Sequence, residues 1–165
     1  QQELYEAVVK AGKPVILVNV SGSCIGLCDA DRDCSAVLQC FYPGAEGGHA
    51  LADILFGKVS PSGRLPVTFY RSVDDLPDFA DYSMENRTYR FFKGSPLYPF
   101  GYGLSYTKFE ENWLDDDTAE VKNVGDMDSW HTVLKFEKEP HPQLVGFSKV
   151  WIPAGETVRV KVKKD

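Results

Sequence analysis

Apolar positions along the first seventy residues switch between helical and strand spacing. Leu4, Ala7, Val8 and Ala11 recur every three or four residues, which predicts an amphipathic helix ended by Gly12. Pro14 leads into VILVNV (15–20), an unbroken apolar run rich in β-branched residues, as expected for a strand buried on both faces. A loop, SGSCIGL (21–27), and a short helical turn over DADRDC (29–34) separate it from a second such run, AVLQCF (36–41). After a glycine-rich turn, GHALADILFG (48–57) places Ala50, Leu51, Ile54 and Leu55 on one helical face, with Gly57 as the cap. The turn SPSGRLP (60–66) then precedes VTFY (67–70), which predicts a third strand. Helix, strand, connection, strand, helix, strand is the order of a parallel sheet covered by helices. The stretch from Val20 to Ala36 supplies the roughly dozen residues that a parallel crossover needs.

From Arg71 the periodicity vanishes while aromatics, Pro and Gly become dense. Disordered linkers are poor in aromatics, so this segment is expected to be ordered and packed against something. Alternation returns in TAEVKNVG (118–125), TVLKFEK (132–138) and GETVRVKVKK (155–164), which predicts antiparallel β structure. The expected fold class is α/β: a partial parallel-sheet α/β sandwich followed by a short all-β segment. The expected divisions are 1–70 for the α/β part, 71–112 for the irregular connecting segment and 113–165 for the β part. The β part is short beside a seven-stranded sandwich of about 100 residues. The chain therefore reads as the end of one domain joined to the start of another, with both outer boundaries cut.

Charge and composition narrow the function classes. A net charge of −6 over 165 residues argues against a nucleic-acid surface, which needs clustered Lys and Arg. No apolar run is long enough to span a bilayer, and the first residues do not have the pattern of a signal peptide. Four cysteines lie at 24, 28, 34 and 40, a spacing that matches no structural zinc pattern. Buried free thiols in a reducing compartment are the simpler reading, with a cytoplasmic address. Asn19-Val20-Ser21 and Asn86-Arg87-Thr88 fit the glycosylation triplet, a match that arises often by chance.

The glycine turn PGAEGG (43–48) is the first candidate for chemistry. Its glycines do not follow a phosphate-loop spacing, no Lys follows, and Glu46 repels an anion. A serine nucleophile elbow is excluded because Glu46 stands in the serine's place. A carboxylate beyond the C-terminal end of a parallel strand lies where open α/β sheets bind ligands. The alternative is structural: a Glu at a helix start, favoured by the helix dipole and accepting backbone N–H bonds. With no visible partner, the structural role is preferred. His49, His131 and His141 are far apart and lack a paired nucleophile. Glycosidic hydrolysis needs two carboxylates about 5 Å apart for retention, and the sequence identifies no such pair. Tyr89, Phe91, Phe92, Tyr98, Tyr102 and Tyr106 have faces suited to stacking on sugar rings, although packing is the commoner use of such residues. No catalytic residue, metal ligand set or cofactor is expected.

Longer motifs carry a resemblance. KPVILVNVSGS (13–23), FYPGAEGGHALADILFGKVSPSGRLPVTFYRSVDDLPDF (41–79) and DYSMENRTYRFFKGSPLYPFGYGLSYTKFE (81–110) resemble the second domain of glycoside hydrolase family 3, the β-glucosidases, β-xylosidases and related exo-acting enzymes. KNVGDMDS (122–129) and QLVGFSKVWIPAGETVRVKV (143–162) are similar to the fibronectin type III-like domain that follows in many members. The resemblance implies retaining hydrolysis of terminal β-linked sugars. It also implies that the nucleophilic Asp sits on a preceding (β/α)₈ barrel and the acid/base Glu upstream of Gln1. Glu46 aligns with a motif glutamate that is not the acid/base. The implied partners are a barrel domain and, once assembled, an oligosaccharide or aryl β-glycoside.

Residues implied to serve substrate binding or the domain interface are Ser21, Ser23, Glu46, Arg87, Tyr89, Tyr98 and Tyr102. The chain departs from the family's pattern at WHTVLKFEKEPHP (130–142), where the usual strand and loop are shortened. A non-catalytic carbohydrate-binding or scaffolding module, or a degenerate fragment, is the alternative reading. An unpaired edge beside VILVNV or AVLQCF implies self-association unless a partner covers it.

Overall fold

The computed structural model describes residues 1–164. Helix α1 (Gln2–Lys10) precedes strand β1 (Ile16–Asn19), helix α2 (Cys28–Asp33), strand β2 (Ala36–Gln39) and helix α3 (Gly47–Leu55). β1 and β2 pair in parallel, from Ile16 opposite Ala36 to Asn19 opposite Gln39. Leu27, Ala30 and Phe69 form the buried centre of this half, with Tyr5, Leu17, Val37 and Phe41 packed around them. α3 ends as its pattern predicts: Gly57 has φ +68° and donates its N–H to the Ile54 carbonyl at 2.9 Å.

Two expectations fail here. Neither strand is buried on both faces: Ile16 is 49% exposed, Ala36 is exposed, and the remaining strand residues are only half-buried. The core supplied by α2 and Phe69 packs on one face, through Leu17 and Val37, while Val18 and Leu38 on the other are only half-buried. VTFY does not add a third parallel strand. Phe69 instead forms a single antiparallel bridge with Tyr98, donating its N–H to the Tyr98 carbonyl at 2.9 Å and accepting the Leu97 N–H at 2.8 Å. Leu65 likewise donates its N–H to the Tyr102 carbonyl and accepts the Gly101 N–H, both at 2.8 Å. The aromatic segment thus satisfies the backbone groups that a parallel neighbour would otherwise take.

That segment holds a 3₁₀ turn (Val73–Asp75) and the one-turn helix α4 (Thr88–Phe91). Ser72 and Asp75 close the turn with a reciprocal capping box. The rest is organised by side chains bonding backbone, as its Asp, Asn and Ser content favours.

β3 (Phe109–Trp113), β4 (Thr118–Asn123) and β7 (Thr157–Lys161) form an antiparallel sheet in the order β3-β4-β7. β5 (Ser129–Glu137) and β6 (Gln143–Ile152) form an antiparallel hairpin. Between the two sheets Ala119, Val121, Val133, Ile152, Val160 and Val162 make an apolar core. The antiparallel β structure expected from the alternation is present, and β3 and β6 complete the layers. Asn123 is buried at the end of the core. Its amide donates to the carbonyls of Met127 and Ile152, and its oxygen accepts from Thr107 Oγ1 and the Gly125 N–H. All four of its hydrogen-bonding positions are filled, which makes burial tolerable.

The four cysteines are free thiols, half-buried where the sequence suggested full burial. Among the described residues no helix is long and apolar enough to cross a membrane. No group of three His, Cys, Asp or Glu side chains there gathers to hold a metal ion.

Candidate functional site at the C-terminal ends of β1 and β2

Because β1 and β2 are parallel, the loops that leave them emerge at one edge of the sheet, the place where open α/β sheets take ligands. Asn19 and Gln39 close the two apolar runs directly opposite one another, and the Asn19 amide donates to Gln39 Oε1. Ser21 joins them. Its hydroxyl accepts from Asn19 Nδ2 at 2.9 Å and from Gln39 Nε2 at 3.2 Å, and donates to the Ser23 carbonyl at 2.8 Å. One donor and two lone pairs are thereby used, so Ser21 acts as a fixed corner of the loop rather than a free nucleophile. The Ser23 side chain is exposed beside it.

The second loop begins at Phe41, which takes φ +49° at the exit of β2. Left-handed backbone at a bulky residue is a strained conformation that the surrounding packing must hold. The ring of Tyr42 then lies over Gly22, where an added Cβ would meet Tyr42 Cε2 at 2.6 Å, so the two loops touch. Glu46 stands just ahead of α3 but makes no side-chain cap bond, contrary to the structural role preferred from sequence. Its carboxylate pairs instead with His49 Nδ1 at 2.7 Å, and the two side chains are 84% and 85% exposed.

The other candidates organise the aromatic segment. Arg87 donates to the carbonyls of Ser83, Asp78 and Asp81, drawing a loop around its guanidinium. Tyr89 stacks on Phe100 with ring centres 4.4 Å apart and meets Phe136 edge-on. Its hydroxyl accepts the Leu144 N–H at 3.0 Å, which joins the segment to β6. Tyr98 donates to Asp31 Oδ1 at 2.6 Å and stacks on Tyr102 at 5.1 Å. Burial pushes the Tyr98 phenol well above its ordinary range, and the bond to Asp31 adds to the shift. Tyr102 keeps 37% of its surface exposed.

Ser21 and Ser23 therefore come together with Asn19 and Gln39, and Tyr98 with Tyr102 and Asp31. Sequence reasoning missed Asn19, Gln39 and Asp31. The signal for the first two was the single polar residue ending each apolar run. Asn19 and Asn86 of the two glycosylation triplets are both engaged: the Asn86 amide donates to the Asp75 carbonyl and its oxygen accepts the Lys93 N–H.

A short parallel pair, an ordered aromatic segment and a small antiparallel β sandwich define the class by fold: mixed α/β, a parallel unit followed by an antiparallel one. The profile of the glycosyl hydrolase family 3 C-terminal domain matches residues 1–106, and the chain belongs to that family. It is 42% identical to a xylan 1,4-beta-xylosidase of Xylanibacter ruminicola, over 99% of this chain and 21% of that protein. A periplasmic beta-glucosidase of Salmonella typhimurium is 34% identical over 100% of this chain and 26% of its own length.

Among solved structures, beta-D-glucoside glucohydrolase from Trichoderma reesei superposes with a TM-score of 0.86 at 25% identity, covering 98% of this chain and 29% of that one. A GH3 beta-glucosidase from Bifidobacterium adolescentis gives 0.84 at 30% identity, covering 99% and 28%. The likeness thus runs beyond residue 106 through the β sandwich. The chain spans between a fifth and a third of the length of these proteins.

Proposed function

We propose that these residues are the carboxyl-terminal part of a retaining β-glycosidase of the β-xylosidase or β-glucosidase type, acting on terminal β-linked sugars. The observation that carries this reading is the match of 99% of the chain, at 42% identity, to a segment that makes up 21% of a xylosidase. In retaining hydrolysis one carboxylate attacks the sugar to form a glycosyl-enzyme, and a second protonates the leaving group and then activates water. We assign both carboxylates to polypeptide outside this chain, the nucleophile to a barrel domain.

In that assembly the loops carrying Ser21, Ser23 and Glu46 face the barrel from the C-terminal edge of β1 and β2. Arg87, Tyr89, Tyr98 and Tyr102 hold the aromatic segment as a buttress behind them. Open apolar side chains support a covering partner: Leu4 on α1 is 70% exposed, Tyr42 79% and Phe56 81%. Such a density of uncovered apolar surface marks an interaction face. The divisions at 1–70, 71–112 and 113–165 are part of the same proposal, while the two apolar clusters, one drawn from residues 5–98 and the other from 109–162, favour a single break between 98 and 109. Four free thiols favour a reducing, cytoplasmic address.

The test is complementation. The chain is co-expressed with a barrel-bearing polypeptide of a family 3 enzyme, and release of nitrophenol from 4-nitrophenyl β-xyloside and β-glucoside is followed. Turnover in the co-purified complex supports the reading. A stable complex without turnover on either substrate overturns it.

A further inference from the structure

The groove between the aromatic segment and the tip of the β5–β6 hairpin is not used by anything described so far. It has a volume of about 590 Å³, within the range of small-ligand sites and enough for one or two sugar rings. Its walls come from two remote parts of the chain, 84–93 and 138–142. Tyr89 fixes their spacing, because its hydroxyl accepts from Leu144 just beyond the hairpin tip while its ring packs on Phe100 and Phe136.

The lining combines apolar faces with positive charge. His141 lies on the ring of Phe91 with centres 4.7 Å apart, and Met84, Pro140 and Pro142 extend the apolar surface. Arg90, Lys93 and Lys138 face the same space against one carboxylate, Glu85, which pairs with Lys93 at 2.9 Å. Among the described residues neither Arg90 nor Lys138 has a carboxylate partner. In a chain of net charge −6, a groove with cationic excess stands out from its surroundings. Guanidinium presents a planar fork that matches a carboxylate, and ammonium adds a mobile point charge.

We infer that this groove binds a carboxylate-bearing sugar, a uronic acid or an oligosaccharide carrying one. The inference rests on reading the protein as a carbohydrate-active enzyme, and it names a recognition element of its substrates. Arg90 and Lys138 take the carboxylate, while Phe91 and the two prolines receive the C–H face of the ring. An inorganic oxyanion satisfies the charges but leaves the apolar faces unused.

The probes are D-glucuronic acid, D-glucose, sodium sulfate and a hexaglutamate peptide, each titrated into the 165-residue chain by backbone NMR. Glucuronate is expected to shift resonances within 84–93 and at Lys138, Glu139 and His141, with a Kd of about 1 mM. Glucose and sulfate are expected to bind at least about tenfold more weakly, and Arg90→Gln or Lys138→Gln to weaken glucuronate about tenfold. Lys138→Arg, which keeps the charge, is expected to retain binding and guards against a fold defect.

Equal response to glucose, equal or tighter binding of sulfate or of the acidic peptide, or no shift with glucuronate each overturns the inference. Complementation by Arg90→Gln with a barrel partner separates the two proposals. Turnover without glucuronate binding in the native sequence removes the groove alone. Glucuronate binding without turnover removes the glycosidase reading alone.

Discussion

The Leu144 N–H of β6 ends on the hydroxyl of Tyr89, 3.0 Å away, so a side chain from the aromatic segment closes a backbone position at the start of a sandwich strand. The same ring stacks on Phe100 and meets Phe136, making Tyr89 the joint between the two halves of the chain. Tyr89→Phe removes only the acceptor and is expected to cost about 1 kcal/mol. Tyr89→Ala also removes the aromatic contacts and is expected to cost about 3 kcal/mol or more. Urea unfolding of the two variants checks the order. Equal effects would mean that the ring contributes nothing beyond its hydroxyl.

Arg87 makes three bonds to carbonyls between 78 and 83, all from one guanidinium. Charge-assisted bonds of this kind carry about 1.5–3 kcal/mol each at most, less where water competes. Arg87→Ala is expected to loosen the loop that carries Phe79 and Tyr82, already 94% and 90% exposed, without melting the sandwich. Limited proteolysis should then cut within 78–84 several times faster while resonances of β4 and β5 stay in place. Unchanged cleavage would show that the turns in which Asp78 Oδ1 accepts the Ala80 N–H and Asp81 Oδ1 the Ser83 N–H hold the loop unaided.

Stability should fall at both ends of the pH scale, for separate reasons. Tyr98 is pushed above its ordinary 10.0 by burial and by its bond to Asp31, so the unfolded chain releases this proton first. The stabilisation is complete below 10.0 and is lost as pH rises above it. At the other end, the Asp117 N–H and Thr118 hold the Asp115 carboxyl below its ordinary 3.8, and Ser83 and Arg32 do the same for Asp81 and Asp33. Their contribution is complete above 3.8 and disappears as pH falls below it. Melting temperatures from about pH 3 to about pH 12 should trace this dome, and Tyr98→Phe should reduce its alkaline slope, with Tyr5, pushed up to about 12 by burial and Asp33, and Cys40, raised by burial, keeping the remainder. An alkaline slope unchanged by Tyr98→Phe would assign the whole effect to other groups.

Within the described residues β1 pairs only with β2, and Ile16 and Val20 are 49% and 56% exposed. Open strand edges beside apolar surface recruit other chains. The isolated chain is expected to self-associate with rising concentration in sedimentation, and Ile16→Lys to reduce it. A clean monomer at high concentration would contradict this.

Much of the α/β half was legible because its signals are local. Gly12 and Gly57 punctuate helices, and the apolar runs 15–20 and 36–41 contain β1 and β2. VTFY carried no local mark of its partner. Its antiparallel bridge is with Tyr98, 29 residues on, so spacing alone could not choose it over a parallel neighbour. The uniform apolarity of the two strands read as burial on both faces, although the strand residues are half-buried at most and Leu17 and Val37 alone of them join the apolar cluster. At the candidate site Ser21 was legible as a loop residue. Asn19 and Gln39 became visible only through strand register, which places them opposite each other. Glu46 was legible as standing ahead of a helix, but its bond to His49 depends on rotamers that a sequence does not reveal.

Steady-state hydrolysis of an aryl β-xyloside by the purified chain, alone and with a barrel-bearing partner, tests the central claim most directly. The account predicts no turnover above the buffer rate from the chain alone and turnover once the partner is present. Sustained hydrolysis by the chain alone, abolished by removal of one of its own carboxylates, would contradict it.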